Sequence, residues 1–251
     1  MTNRQDLLRA FDALLEPERF KDYGPNGLQV EGRADIRKIV SGVTASQALI
    51  EAAIAEQADA IFVHHGLFWR GQDGCVTGWM RKRLALLLAH DINLFAYHLP
   101  LDAHPLWGNN AQWGERLGFV GDGRFGEQQL GWLGTPAAPG FSSAQALVEH
   151  VQSVMGRTVQ WVAGRPGPIQ RVAWCSGGAQ SYFEAAIAAG VDAFLTGEIS
   201  EPQAHYAREC GVAFLACGHH ASERYGAPAL AAHVAQQVGV PHVFIDIENP
   251  A

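Results

Sequence analysis

Apolar positions recur at helical spacing at the start of the chain: Leu7, Leu8, Phe11, Leu14 and Leu15 predict an amphipathic helix over residues 3–15. The stretch 22–30 that follows is rich in turn signals; such a loop can border an active site, but Gly24-Pro25 and Asn26-Gly27 taken alone read first as structural turns. Continuous apolar runs then alternate with striped segments. Residues 36–40 and 59–63 predict buried strands, joined by a helix over 46–57 that Thr44 or Ser46 can cap. A helix over 79–90 and a third strand over 92–97 come next, and Pro100 is expected to end that strand. A short helix from Asn109 to about Gly118 leads into the glycine-rich stretch 121–140. There the alternation of Phe125, Leu130 and Trp132 predicts a small antiparallel strand. Beyond it the pattern predicts a helix capped by Ser142 or Ser143 and running through Met155, and a strand over 158–163. A helix over 201–209, a strand over 212–215, a helix reaching Val238 and a last strand over 243–247 complete the chain.

The strand-helix-strand pattern of residues 36–66 recurs 133 positions later without a gap. The string EAAIA occupies 51–55 and again 184–188, and Asp-Ala follows in each copy, at Asp59-Ala60 and Asp192-Ala193. Such agreement predicts an internally duplicated α/β fold with two related sheets. The domains are expected at 1–124 and 125–251, divided within the glycine-rich stretch. Residues 121–168 carry no evident chemistry and read as a lid, an inserted subdomain or an oligomer contact.

A chain of 251 residues with 48% hydrophobic composition can bury a substantial core, and the formal charge of -7 argues against a general nucleic-acid surface. The cluster Arg81-Lys82-Arg83 reads as a solvated helix face, with a phosphate-facing patch as the weaker alternative. No apolar run has the length of a membrane span and the N-terminus lacks a signal-peptide pattern, so the expected location is cytoplasmic. Cys75, Cys175, Cys210 and Cys217 form no close pair and are expected to be reduced thiols. Cys217, beside a candidate ligand, is the exception to watch.

The chemistry gathers at predicted strand ends. His64 and His65 close the run DAIFVHHG. Because neighbouring side chains of a strand point to opposite faces, the two can serve one site only if the strand is already ending there, which Gly66 permits. The third strand delivers His98 and Asp102 to the same edge. If a helix begins near Gly218, His219 and Glu223 stand four apart on one face. His64, His65, Asp102, His219 and Glu223 thus form a candidate metal-ligand set. Five ligands exceed what one tetrahedral zinc requires, so a carboxylate can bridge two divalent ions and leave room for an attacking water. Three imidazoles favour zinc, manganese, nickel or iron over magnesium. His98 either orients a ligand or moves a proton, and Glu198, which the repeat places opposite His65, is a candidate general base. His90, His104, His150, His205, His233 and His242 show no comparable convergence and read as structural.

The motifs DAIFVHHGLFW (59–69), AYHLPLD (96–102), DAFLTGE (192–198) and GHHASE (218–223) together resemble the NIF3-like family, whose bacterial members of the YbgI type are known as GTP cyclohydrolase 1 type 2 homologues. The resemblance runs over essentially the whole chain. It implies a dinuclear site on His64, His65, Asp102, His219 and Glu223 with His98 and Glu198 nearby, between two intertwined α/β domains with mixed sheets. It also implies a ring-shaped homohexamer. The function expected is a metal-dependent hydrolase of a small anionic or nucleotide-like molecule, of GTP cyclohydrolase type in the sharpest form. The alternative is a non-enzymatic scaffold for metal binding, metal delivery or protein interaction.

Overall fold

The computed structural model describes residues 1–251. Asn3 caps the first helix through a hydrogen bond from the Gln5 N–H. In chain order the elements are β1 (Thr2–Asn3), α1 (Arg4–Leu15), β2 (Gly27–Val30), β3 (Asp35–Ile36), β4 (Ile39–Thr44), α2 (Gln47–Ala55), β5 (Ala60–His65), α3 (Gly78–Ala89), β6 (Asn93–Ala96) and α4 (Leu99–Ala103). They continue with α5 (Asn109–Arg116), β7 (Phe119–Phe125), β8 (Gly131–Pro136), α6 (Ala144–Met155), β9 (Gln160–Val162), β10 (Val172–Trp174), α7 (Phe183–Ala188), β11 (Ala193–Thr196), α8 (Glu201–Cys210), β12 (Ala213–Ala216) and α9 (His219–Glu223). The last are α10 (Gly226–Val238) and β13 (His242–Phe244).

Two compact units are formed. The first comprises residues 1–108 and 224–248, the second 109–223 and 249–251. This differs from a division at 124/125. The glycine-rich stretch is no linker, because it supplies β7 and β8, which pair with each other along their length and join the second unit's sheet through β8 and β10. The chain instead passes to the second unit at Asn109, and α10 and β13 return to the first.

The first unit is built on a five-stranded sheet of order β13-β4-β5-β6-β2, parallel except for β2. Side chains alternate across it. Ile39, Phe62 and Phe95 pack on one face with Leu7, Phe11 and Leu15 of α1 and Leu230 and Val234 of α10. Val40, Ile61 and Val63 pack on the other with Leu49 and Ile50 of α2 and Leu87 of α3. A sheet covered on both faces explains the continuous apolar runs. The strand expected at 36–40 lies later, at Ile39–Thr44. Gly42 lies inside it: a Cβ there would lie 2.5 Å from Leu49, so its absence lets α2 approach the sheet.

The second unit has a six-stranded sheet of order β7-β8-β10-β11-β12-β9, with β10, β11 and β12 parallel and the others antiparallel. Phe183, Phe194 and Phe214 fill its core with edge and stacked contacts, and Trp132 stacks on the buried Trp174. Residues 121–168 therefore contribute three sheet strands, not a separate lid or insert.

The two parallel ladders share a register at the 133-residue offset. Ile39 pairs with Ala60 and Val172 with Ala193, and both patterns continue through Ser41↔Phe62 and Trp174↔Leu195. The carboxylates recur as well. Asp59 accepts from the Arg37 backbone N–H, and Asp192 from those of Gln170 and Arg171. Burial alone would raise the Asp59 carboxyl, but the Arg37 side chain and backbone N–H, with Arg33, outweigh it and hold the group below its ordinary value. A depressed folded-state value contributes stability that is fully present above the unfolded value of about 3.9 and is lost as pH falls through the lower folded value. Denaturant midpoints of the wild type should therefore fall below about pH 4 more steeply than those of Asp59→Asn. Parallel pH profiles would remove Asp59 from that role.

Candidate metal centre

In the first unit, β5 runs through both histidines, with Thr44 paired to His65, so the strand does not end before them as expected. Its other partner does end: β6 pairs no further than Val63↔Ala96. At this half-paired tip the rings of His64 and His65 lie 4.4 Å apart between centroids, and His98 lies 5.0 Å from His64 and 5.7 Å from His65. His64 is fully buried.

Each ring is held by the same nitrogen. His64 Nδ1 donates to the Tyr97 carbonyl at 3.2 Å, His65 Nδ1 meets the Thr44 hydroxyl at 3.2 Å, and His98 Nδ1 donates to Asp22 Oδ1 at 2.7 Å. An Nδ1 occupied in this way leaves Nε2 as the nitrogen that can ligate. Thr44 thus serves His65, while Ser46 caps α2 by accepting from the Leu49 N–H. Asp102 comes from α4, a short helix that follows the strand end expected at Pro100. Pro100 sits in its first turn, where a missing N–H costs nothing. The Asp102 carboxylate is 3.6 Å from His64 Nε2.

The loop 22–30 does more than turn. Asp22 Oδ2 accepts the Leu99 N–H, and Asn26 accepts the His98 N–H through Oδ1 while donating to Asp22. Burial would raise the Asp22 carboxyl, but the hydrogen bond and charge of His98, with Asn26 and the Tyr23 N–H, bring it down to about 2. Gln29 accepts the Leu67 N–H and donates to the Pro25 carbonyl, tying this loop to the one after β5. Trp69 stands edge-on to His98 at 5.1 Å and Tyr23 at 6.0 Å. Asp22, Asn26 and Gln29 are absent from the candidates that sequence alone supplies. The available signal is the spacing of Asp22 and Asn26, four apart in a loop with an excess of side-chain acceptors.

In the second unit, α9 begins at His219 and places Glu223 one turn on, as the spacing predicts, with Nε2 and Oε2 3.2 Å apart. Glu198, just past the end of β11, accepts from His219 Nδ1 at 2.6 Å. The imidazole is raised to about 9, chiefly by Glu223 and then Glu198, against the opposing pull of burial. Two carboxylates around one ring make a position that favours positive charge. The loop after β10 allows the close approach: Gly177 has φ +68, and a Cβ there would collide with the Glu223 carboxylate. Ser222 accepts the Gly177 N–H through its hydroxyl, and Gln180 donates to Glu198 Oε2. Gly177 and Gln180 are further supports that no sequence motif marks, and Ser222 lies within GHHASE without being one of the residues singled out there.

Five of the remaining histidines have structural partners. His150 meets the Leu117 carbonyl, His205 meets Glu201, His233 stacks on Trp107, His242 meets Ser41, and His104 accepts backbone N–H groups of its own loop. Arg81 and Lys82 face solvent, and Arg83 lies over the Trp79 ring. All four cysteines are free, and burial pushes the Cys217 thiol up, away from the thiolate that would bind metal. No helix is long and apolar enough to cross a membrane.

Known proteins of the same fold match the chain from end to end. The Duf34/NIF3 (NGG1p interacting factor 3) family profile matches residues 2–250. A protein of Allochromatium vinosum named GTP cyclohydrolase 1 type 2 homolog is 51% identical over 252 residues, covering all of this chain and 98% of that protein. One of the same name from Escherichia coli K12 is 47% identical, covering 98% of both. Among solved structures, protein ybgI, described as of unknown function, superposes with a TM-score of 0.95 at 45% identity, with both chains fully covered. TTHA1606 from Thermus thermophilus gives 0.89 at 32%, again over both full chains.

Proposed function

Because the chain belongs to the Duf34/NIF3 family, we propose that it is a metal-binding protein that works as a metal-dependent hydrolase on a small, anionic or nucleotide-like molecule. The proposed ligands are His64, His65 and Asp102 from the first unit and His219 and Glu223 from the second, serving two divalent ions. The observation that carries this reading is the shared orientation of the histidines: in both units Nδ1 is engaged, which makes Nε2 the ligating nitrogen. The donor set fits zinc, manganese, nickel or iron, since imidazole nitrogens are joined by carboxylates that can bridge. Ions so held supply Lewis acidity, activating water and polarising the electrophilic group of a substrate.

The chain's own residues supply the rest. Glu198 orients His219 through Oε1, and its second oxygen, on a half-exposed side chain and also reached by the Gln180 amide, supplies the acceptor that a general base needs. Trp69 and Tyr23 wall the first unit's histidines and can restrict water. The matching ladders at the 133-residue offset support descent of the two units from one duplicated α/β repeat. The relatives' name makes opening of a purine ring the sharpest form of the hydrolytic reading.

A panel of GTP, other nucleotides, phosphoesters and cyclic amides, run with metal-reconstituted protein and with Asp102→Ala, tests it. Metal-dependent turnover lost in the variant is expected. Ion binding without turnover on any member, together with metal transfer to an acceptor protein, would replace the enzyme by a delivery scaffold. The family resemblance also carries a homohexamer, for which the exposed Trp79 and Leu88 of α3 offer apolar contact surface. Light scattering should find six copies, and a stable monomer at working concentrations would reject the assembly.

A further inference from the structure

A cavity of about 670 Å³ opens in the first unit at the end of the sheet opposite the histidines. Asp59, on its wall, directly precedes β5, and the six residues of that strand put His65 about 20 Å away. The volume is that of a small-molecule site. Arg33, Arg37 and Lys38 line it together with the apolar Ile54, Ile92 and Pro241, and the carboxylates of Asp59 and Glu56 leave the wall with one positive charge in excess. We propose that this cavity binds a small phosphorylated molecule, its phosphate on Arg37 and Lys38 and its organic part against Ile54, Ile92 and Pro241. The site is separate from the metal centre and does not depend on the reading of that centre.

The guanidiniums are fixed before any ligand arrives. Arg33 donates to the carbonyls of Asp91 and His90 and pairs with Asp59 at 3.0 Å. Arg37 reaches the same buried carboxylate through Nε and Nη2, which leaves Nη1 without a partner in the chain, on a side chain that is 65% exposed. A fork held in this way gives up little freedom on meeting a phosphate. Lys38 adds an ammonium that pairs only with Glu56 at the rim.

A purely structural role for these cations is the competing explanation, and the duplication supplies an internal control. At the equivalent strand start of the second unit, Asp192 accepts the same kind of backbone N–H groups and manages with the single guanidinium of Arg165. Pro166 and Gln170 stand there at the positions of Arg33 and Arg37, and Ala189 at that of Glu56. One guanidinium therefore suffices to clamp the strand start. The second guanidinium at Asp59, together with the Lys38–Glu56 pair beside it, is what the clamp does not explain.

The test is calorimetric titration of the full chain with inorganic phosphate and with adenosine 5′-monophosphate (AMP). AMP should bind with a Kd at or below about 1 mM, and more tightly than phosphate because it also covers the apolar wall. Arg37→Gln and Lys38→Gln should each weaken AMP by about 10-fold or more, the loss expected for one charge-assisted hydrogen bond, whereas His65→Ala should retain this binding. Lys38→Gln keeps both guanidiniums on Asp59, so it reads the site even if Arg37→Gln disturbs the strand start. Absence of binding by either probe at about 10 mM, or an AMP affinity unchanged in Lys38→Gln, would overturn the inference. So would AMP that binds no better than phosphate, or AMP binding that disappears in His65→Ala, which would move the phosphate to the metal centre.

Discussion

Phe11→Ala should destabilise the first unit by about 3–5 kcal/mol, the range for removing a large aromatic ring from a close-packed core. Phe11 is fully buried, and its ring meets Phe62 at 4.5 Å, Phe95 at 5.5 Å and Tyr97 at 5.9 Å between centroids. These partners sit on β5, on β6 and just past its end, in a sheet whose backbone pairing leaves little room for local collapse into the space. The Tyr97 hydroxyl also donates to Asp12 on the same helix as Phe11, which holds α1 in place and prevents it from closing over the cavity. Against a total stability of about 5–15 kcal/mol the loss is large. Urea unfolding measures it. Leu106→Ala, at a side chain 63% exposed, should change stability by less than about 0.5 kcal/mol. A cost below about 1 kcal/mol for Phe11→Ala would mean that α1 is not docked as described.

A second large effect is expected from metal on stability. An ion that binds only the folded chain stabilises it by about 2.7 kcal/mol at about a hundred times its Kd. Zinc should therefore raise the unfolding midpoint of the wild type, and a chelator should reverse the shift. His65→Ala should lose most of this stabilisation, because its ring joins the His64 and His98 group at the end of β5. His150→Ala should keep it, because His150 is occupied by the Leu117 carbonyl. Equal metal-induced shifts in both variants would remove His65 from the ligand set.

Much of this architecture is legible in the chain because burial writes periodicity into sequence. The apolar runs at β5, β6 and β11 lie in sheet interiors, and the helical stripe of Leu7, Phe11 and Leu15 is the docked face of α1. The spacing of His219 and Glu223 predicts their contact because helix geometry alone sets it. What escapes depends on tertiary partners. The sequence puts β4 too early because the apolar run stops at Val40, and only the approach of Leu49 gives Gly42 its purpose inside the strand. Asp22 is 76 positions from His98, and no local pattern announces a hydrogen bond closed by folding. His64 and His65 come together because β6 stops at Ala96 while β4 continues, a difference in partner lengths that residue types do not record.

If the engaged Nδ1 atoms and the facing carboxylates exist to hold divalent ions, the purified chain should carry those ions through exhaustive dialysis after metal reconstitution. Elemental analysis tests this most directly. Two ions per chain are expected in the wild type, with a loss in Asp102→Ala and a loss in Glu223→Ala, since each removes a carboxylate from one of the two ligand groups. Metal content that is absent from the wild type, or that stays the same in both variants, would contradict the metal-binding role.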